Sequence, residues 1–327
     1  MRILVTGATG FIGYSLVSVL LNGSHEVTCF IRKHSNTRWL NSLGTVKYVT
    51  GDLRDPESLA EAVKGCDVVI HLAGVTTAVN RDKYFKINHL GTRSLIDAIA
   101  RNNTDLQRFV YISSLSAGGP TSLDRPRTES MPDAPMTHYG ESKRAAELAL
   151  MNYKNQVPIT IIRPPIVYGP LDNGVLLFFK LIKKGWSVRF TGDDLYLSLI
   201  YVEDLAEAIA LLATTFVPSG EIFYINDKYQ YSASQIQKYI AEALQIDPKT
   251  IPVMRSLLYP AVGVSELLVK LRRRPSFFNY QKIKELNQAA WICSAEKLAQ
   301  QTGFHAKVSL PEGAHRTAEW YTKHGWI

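Results

Sequence analysis

The sequence is poor in cysteine, and its cysteines do not have the spacing of metal ligands. Its 327 residues include three cysteines, Cys29, Cys66 and Cys293, which lie far apart and form no Cys-x-x-Cys pair. An odd number of scattered cysteines is typical of reduced thiols rather than of a disulfide framework or a zinc site. We therefore expect a cytoplasmic protein that holds no metal ion.

The sequence also lacks an uninterrupted apolar segment that could span a membrane. Its most apolar long stretch, residues 251–271, contains Arg255, Glu266, Lys270 and two prolines, which argue against a membrane-spanning helix. A strand-like segment begins at residue 2, so we expect no signal peptide. Residues 254–270 are amphipathic, and we interpret them as a helix that packs on the protein or lines an apolar pocket rather than one on a membrane surface.

Long basic tracts are absent too, although the chain is basic overall. The formal net charge is +8, with 46% hydrophobic and 20% charged residues, a composition typical of a soluble globular protein. The tightest basic cluster, residues 272–274, is too short to indicate nucleic-acid binding. The excess positive charge is instead consistent with a phosphorylated small molecule as cofactor or substrate.

Three glycines near the amino terminus are the most informative feature present. Gly7, Gly10 and Gly13 follow a short apolar run and open an amphipathic segment, which predicts a strand, a tight turn and a helix. In that geometry the first glycine allows the turn, the second lets a pyrophosphate approach the backbone, and the third lets the helix lie close to the strand. The alternative is a glycine-rich turn without a ligand. The predicted cofactor-binding residues here are Gly7, Thr9, Gly10, Phe11, Ile12 and Gly13.

Short apolar runs alternate with helical patterns through the first half of the chain. Several of the apolar runs are continuous rather than alternating, as strands covered on both faces require. The pattern predicts an α/β fold with a doubly wound parallel (Rossmann) sheet, which binds ligands at the carboxyl ends of its strands. The predicted strands are residues 2–6, 26–31, 46–49, 67–72, 108–113 and 159–163. The predicted helices are residues 11–21, 56–64, 83–101 and 139–153.

The alternation loosens after about residue 165, where glycine, proline and aromatic residues accumulate. A strand-like segment followed by a helix, residues 197–215, indicates a return to the first unit. We therefore predict a dinucleotide-binding domain over residues 1–165 and 197–215. Residues 166–196 and 216–327 are predicted to form a smaller, mostly helical substrate-binding cap.

The strongest catalytic signal is the pair Tyr139 and Lys143, which opens a predicted helix. Residues four apart lie on one helix face, so the ammonium is expected to lower the pKa of the phenol and make Tyr139 a general acid or base. Such a pair is also common on ordinary helix surfaces. Ser114, however, follows a predicted strand at the ligand edge, where its hydroxyl could hold a substrate oxygen against Tyr139. His71, inside an apolar strand, is interpreted as a core histidine.

Eight short motifs in order give residues 1–215 a close resemblance to the extended short-chain dehydrogenase/reductase family. The resemblance implies that Asp52 and Leu53 flank the adenine, and that Ala73 and Gly74 line the cofactor ribose. It implies that Tyr139 and Lys143 also bind the cofactor, with Lys143 holding the nicotinamide ribose. It also implies that Asn88 fixes the backbone near the cofactor and that Ile166 lies near the carboxamide. The motifs are TGATGFIG (6–13), GDLRD (51–55), HLAG (71–74), NHLGT (88–92), YISS (111–114), YGESK (139–143), RPPIVYGP (163–170) and YVED (201–204).

The residues after the second predicted strand bear on the choice of cofactor. An acidic residue there would bind the 2′-hydroxyl of NAD, whereas an arginine accommodates the 2′-phosphate of NADP. No acidic residue is present; Arg32 follows the strand, with Lys33 and Ser35 nearby, and such groups suit a phosphate. A solvated basic loop is the alternative, and we favour NADP over NAD.

The substrate class is predicted from resemblance and composition. Family dehydratases carry an acidic pair after the catalytic serine or threonine, whereas Leu115 and Ser116 follow Ser114 here. The C-terminal third is similar to dihydroflavonol-reductase-like and 3β-hydroxysteroid-dehydrogenase-like members, and residues 170–195 and 250–278 are rich in apolar side chains. We predict an NAD(P)-dependent oxidoreductase that transfers hydride between the cofactor and a carbonyl or secondary alcohol of a small, apolar substrate.

Two alternatives remain open from the sequence. The first is a nucleotide-sugar 4-epimerase with tightly bound NAD, and the second is a dinucleotide-binding regulatory protein without turnover. Family members often dimerise through the helices that include the Tyr139 segment, so the resemblance also allows a homodimer.

Overall fold

The centre of the protein is a wholly parallel, seven-stranded sheet. A computed structural model describes residues 1–260, 262–263 and 279–327. In the sheet the first six strands have the order 3-2-1-4-5-6, and a strand from later in the chain joins the sixth. The sheet consists of Arg2–Thr6 (β1), Glu26–Ile31 (β2), Lys47–Thr50 (β3), Val68–His71 (β4), Arg108–Ile112 (β5), Ile159–Arg163 (β6) and Glu221–Tyr224.

Helices cover both faces of the sheet, and alternate residues of each strand point to opposite sides. Ile3 and Val5 pack with the first and eighth helices, whereas Leu4 between them packs with helices on the other face. The doubly wound α/β fold is thereby confirmed. The helices are Phe11–Asn22 (α1), Pro56–Val63 (α2), Arg81–Tyr84 (α3), Gly91–Asn102 (α4), Leu115–Gly118 (α5), His138–Met151 (α6), Leu176–Lys183 (α7), Val202–Thr214 (α8), Ala233–Leu244 (α9), Tyr280–Leu286 (α10), Glu296–Thr302 (α11) and Leu310–Lys323 (α12).

The helix predicted over residues 83–101 is interrupted in the structure. A π-helical segment, Phe85–Leu90, separates α3 from α4. Asn88 lies within this segment, and its side chain bonds to the loop after β4 and to α6. Single-turn π segments occur often at functional sites, and here the segment directs a polar side chain towards that loop.

The other strands form short sheets outside the central one. They are Ile166–Tyr168 (β7), Trp186–Phe190 (β8), Tyr196–Leu197 (β9), Leu199–Tyr201 (β10), Tyr231–Ser232 (β12), Lys249–Val253 (β13) and Ala290–Trp291 (β14). They pair as β7 with β10, β8 with β13, and β9 with β12 and β14. In the described part of the chain, no helix has both the length and the apolar character needed to cross a membrane.

The boundary predicted at residue 216 differs from the structure. Glu221–Tyr224 (β11) pairs in parallel with β6 and completes the central sheet, although the sequence pattern placed it in the cap. β11 follows α8 in the chain, and α8 packs on α1. Part of the amphipathic helix predicted over residues 254–270 lies outside the described residues.

Candidate active site

The glycine turn after β1 has the geometry that the sequence predicts. Gly7 has a positive φ of 75°, and a Cβ added there would lie 2.6 Å from the backbone nitrogen of Ala73. A Cβ at Gly13 would overlap the carbonyl oxygen of Gly7 and the backbone of Ala8. Gly7 therefore permits the turn and the close approach of the neighbouring strand, and Gly13 permits contact between the turn and α1.

A cavity of about 340 Å³ opens at this turn. Gly10 is the N-cap of α1; among the described residues no side chain caps this helix, and its first turn has no acidic residue. The first N–H groups of the helix are therefore available to an anion. This uncapped helix start fits a pyrophosphate, which is the part of a dinucleotide that such N–H groups bind. The cavity is lined by Ala8, Thr9, Gly10, Phe11, Tyr14, Asn36, Trp39, Leu40, Leu171, Asn173 and Trp326.

Ser114 and Tyr139 are brought together at the carboxyl edge of the sheet. Ser114 follows β5 and caps the short helix α5, where its Oγ accepts a hydrogen bond from Ser116 N at 3.1 Å. Tyr139 lies in the first turn of α6, which Thr137 caps by accepting from Gly140 N at 3.1 Å. The Ser114 side chain is close enough to Tyr139 to lower the pKa of its phenol. A substrate oxygen placed between two such hydroxyls would be held and protonated by the same pair.

Lys143 is buried one turn beyond Tyr139. Its Nζ donates to the carbonyl oxygen of Ile112 at 2.6 Å and lies 4.5 Å from the ring centre of Tyr111. Burial lowers the pKa of Lys143 to about 7, and the charge of Glu147 opposes this effect. The ammonium is thus held at the end of β5, beside the glycine-turn edge of the sheet.

The expected lowering of the Tyr139 pKa is wrong for this structure. Burial raises the pKa of Tyr139 to about 12, and of its leading influences only the neighbouring Ser114 side chain lowers that pKa. The charge of Glu285, from the cap helix α10, raises it further. Tyr139 and Lys143 are both buried, so each loses the water that would stabilise its charged form, and Lys143 is itself easily deprotonated. Tyr139 is therefore a protonated phenol at neutral pH.

A second set of buried polar residues positions the loop after β4. Asn88 Oδ1 accepts from Val75 N at 2.8 Å, while its Nδ2 donates to Val75 O at 3.0 Å and to Ser142 Oγ at 2.9 Å. Asn88 thus ties this loop to α6. Its position agrees with the backbone role that the family resemblance implies.

His71, at the end of β4, is a core histidine. It is fully buried between Thr6 Oγ1 at 2.6 Å and Thr92 Oγ1 at 2.9 Å. Burial lowers its pKa to about 3, so the ring is neutral and structural.

The remaining predicted residues lie along the same edge with differing exposure. Ala73 N donates to Thr6 Oγ1 at 3.3 Å, which holds it beside the glycine turn. A Cβ at Gly74 would lie 3.0 Å from Asn88 Oδ1, so the loop is closely packed there. Ile166 begins β7 and is 36% exposed.

The predicted adenine and 2′-phosphate residues lie at the ends of β2 and β3. Asp52 forms a bidentate pair with Arg54, with both distances 2.8 Å. That pair lowers the pKa of Asp52 to about 2, and the charge of the exposed Arg32 contributes to the lowering. Leu53 packs under α4, on the core of the other sheet face.

Sequence reasoning missed a buried ion cluster next to Ser113. Glu147 Oε2 accepts from Arg163 Nη2 at 2.6 Å, and Arg163 also bonds both carboxylate oxygens of Asp133 and the hydroxyl of Tyr224. Ser113 donates to Glu147 Oε1. The available signals were the position of Glu147 four residues after Lys143 and the arginine that opens the RPPIVYGP motif.

Comparisons with known proteins agree with this geometry. Residues 3–225 match the model of the NAD dependent epimerase/dehydratase family. The chain is 28% identical over 325 residues to ceramide reductase of Caulobacter vibrioides, covering 99% of this chain and 95% of that protein. It is 30% identical over 266 residues to 3 beta-hydroxysteroid dehydrogenase/Delta 5-->4-isomerase of Mycobacterium tuberculosis, covering 74% and 69%.

The fold likeness extends over the whole chain. The crystal structure of Thermus thermophilus UDP-glucose 4-epimerase in complex with NAD superposes with a TM-score of 0.78 at 23% identity, covering 98% of this chain and 99% of that one.

Proposed function

The chain belongs to the NAD-dependent epimerase/dehydratase family, and from this premise we propose that it is an NAD(P)-dependent carbonyl reductase or alcohol dehydrogenase. The observation that carries the proposal is the closeness of Ser114 and Tyr139 at the sheet edge that also holds the glycine turn. When bound, the nicotinamide of the cofactor supplies or accepts a hydride. The residues of the chain bind the cofactor, orient the substrate and protonate its oxygen.

Each residue of the pair has a separate role in the proposal. The pKa of Tyr139, about 12, keeps the phenol protonated at neutral pH, so it is a proton donor ready for a carbonyl oxygen. Ser114 orients that oxygen and stabilises the phenolate that remains. Lys143, with a pKa of about 7, is a nearby group from which the phenolate can regain its proton. This arrangement favours carbonyl reduction.

An apolar substrate suits the surroundings of Ser114. Leu115, directly after Ser114, packs in a cluster with Leu195, Trp291 and Cys293, and Met136 contacts the same cluster. An acidic pair in place of Leu115 and Ser116 would be expected of a dehydratase, whereas this wall is apolar. The names of the ceramide reductase and hydroxysteroid dehydrogenase relatives support the same substrate class.

NADP is the proposed cofactor. Arg32 follows β2 with its side chain exposed, Lys33 beside it is also exposed, and Ser35 Oγ accepts from Arg32 N at 3.1 Å. An arginine at this position accommodates a 2′-phosphate. NADPH should therefore bind more tightly than NADH, as calorimetric titration of both would measure.

Replacing Tyr139 by Phe tests the proposal. A panel of apolar ketones and aldehydes, followed by NADPH absorbance, should show stoichiometric oxidation by the wild type. Loss of the proton donor should lower kcat about 10²–10⁴-fold. The matched control is Tyr84→Phe, because the Tyr84 ring centre lies 6.3 Å from that of Tyr139 and the control keeps the ring.

Different outcomes separate the alternatives. Equal turnover by wild type and Tyr139→Phe would refute the proposed proton donor. Conversion of a nucleotide sugar with no net change in NADPH, by a protein purified with NAD, would identify an epimerase instead. Binding of NADPH without turnover on the panel or on nucleotide sugars would favour a regulatory protein.

A further inference from the structure

The cavity at the glycine turn has a wall that the central sheet does not supply. Thr9, Gly10 and Phe11 line it at the glycine turn, and Trp39 and Trp326 line it as well. Trp326 follows α12, in the part of the chain that the sequence pattern assigned to substrate binding. The position of its indole therefore decides whether this segment contributes to the cofactor site.

The end of α12 determines where Trp326 lies. Gly325 has a φ of 67°, and its N–H donates to Thr322 O at 3.2 Å, while the N–H of Trp326 donates to Tyr321 O at 2.8 Å. These two hydrogen bonds and the left-handed glycine form a Schellman motif, which reverses the chain against its own helix. The motif places the Trp326 indole on the Tyr321 ring, with the ring centres 5.6 Å apart and the ring planes nearly parallel at 7°.

Tyr321 is itself firmly held. Its ring is fully buried and packs edge-on against Phe179 at 5.1 Å. Its hydroxyl donates to the carbonyl oxygen of Asp172 at 2.6 Å, next to Leu171, which also lines the cavity. Trp326 therefore packs on a buried ring that is hydrogen-bonded to the segment beside Leu171, another part of the cavity lining.

A third indole joins Trp326 to the loop after β2. The ring of Trp320 lies 5.0 Å from that of Trp326 and 5.5 Å from that of Trp39, with both pairs inclined. We call Trp39, Trp320, Tyr321 and Trp326 the aromatic wall. It connects the end of α12 with the segment that follows Arg32.

We propose that the aromatic wall is part of the dinucleotide site, with Trp326 and Trp39 contacting the pyrophosphate and adenosine half of the cofactor. This inference rests on the proposed function, which places the pyrophosphate at the start of α1. An indole offers a flat apolar face and one N–H donor, which suits a ligand part that carries both a sugar and a phosphate. The wall also lets bound cofactor hold α12 and the β2 loop together.

Calorimetric titration of NADP⁺ into Trp326→Ala tests the proposal. We expect the Kd to rise about tenfold relative to the wild type, whereas Trp326→Phe, which retains an aromatic face, should stay within threefold. The control is Trp186→Ala in β8, where an exposed indole should leave the Kd unchanged. A purely structural role of Trp326 would instead lower the melting temperature without cofactor and leave the Kd of the folded variant unaltered.

Tryptophan emission gives a readout that does not require Trp326→Ala to fold. NADPH should quench part of the wild-type emission, and in Trp326→Phe the quenched fraction should fall. If the wild type binds NADP⁺ and both Trp326 variants match it in Kd and in quenched fraction, the aromatic wall is not part of the site. If the wild type binds neither NADP⁺ nor NAD⁺, the proposed function itself is wrong.

Discussion

Replacing Glu147 by Gln should destabilise the protein by removing one charge from a closed, buried ion cluster. Glu147 is fully buried, and its two carboxylate oxygens accept from Arg163 Nε at 2.9 Å, Arg163 Nη2 at 2.6 Å, Arg144 Nη1 at 3.1 Å and the Ser113 hydroxyl. The amide would keep the shape of the side chain but turn one acceptor into a donor that faces guanidinium N–H groups. The buried arginine would then be partly unpaired.

The size of the loss in unfolding free energy depends on the ion pairs that Arg163 keeps. Removing one partner of a buried ion pair costs about 3–5 kcal/mol because the other charge stays desolvated. Asp133 still bonds Arg163 at 2.6 and 3.0 Å, so we expect the lower end, about 3 kcal/mol. With a urea dependence of about 3 kcal/mol per molar, the unfolding midpoint should fall by about 1 M.

Equilibrium unfolding in urea at pH 7 measures this shift. The matched control is Glu61→Gln, whose ion pair with Lys64 has both side chains more than half exposed and should leave the midpoint unchanged. A midpoint for Glu147→Gln within about 0.2 M of the wild type would refute the view that this cluster stabilises the base of the site.

Two further predictions concern the site. The unfolding free energy of the wild type should rise relative to that of Lys143→Met by about 2 kcal/mol between pH 7 and pH 9. The reason is that burial lowers the Lys143 pKa to about 7, so over this range only the unfolded chain keeps the proton. The same pH dependence of the unfolding free energy in both proteins would contradict this. Gly13→Ala should lower the melting temperature and abolish the thermal shift caused by NADP⁺, because the added Cβ overlaps the Gly7 carbonyl; an undiminished shift would show that the turn tolerates the methyl group.

Local sequence patterns predicted much of the fold correctly. The bounds of β1, β2 and β6 agree with the prediction residue for residue, and α1 and α6 differ by one or two. These elements carry continuous apolar runs or amphipathic helical periods with clear turn residues beside them, so neighbouring residues suffice to define them. β11 was misassigned because a four-residue strand after a long break does not show which sheet it joins.

The candidate site divides in the same way. Gly7, Ser114 and Tyr139 could be found from the sequence because each follows a strand or opens a helix, and the carboxyl ends of parallel strands share one edge. The pKa directions could not be predicted, since desolvation depends on everything packed around a group, including Glu285 far along the chain.

The amino-acid sequence by itself determined the first six strands of the sheet, the glycine turn and the edge at which the polar residues meet, because these depend on backbone geometry and on periods of a few residues. Only the tertiary structure decided that Tyr139 is a protonated phenol, that Glu147 and Arg163 close a buried cluster, and that Trp326 reaches the glycine turn. These properties arise where residues distant in the chain are buried against each other, as Tyr321 and Asp172 are across 149 positions. A local sequence pattern cannot predict such contacts.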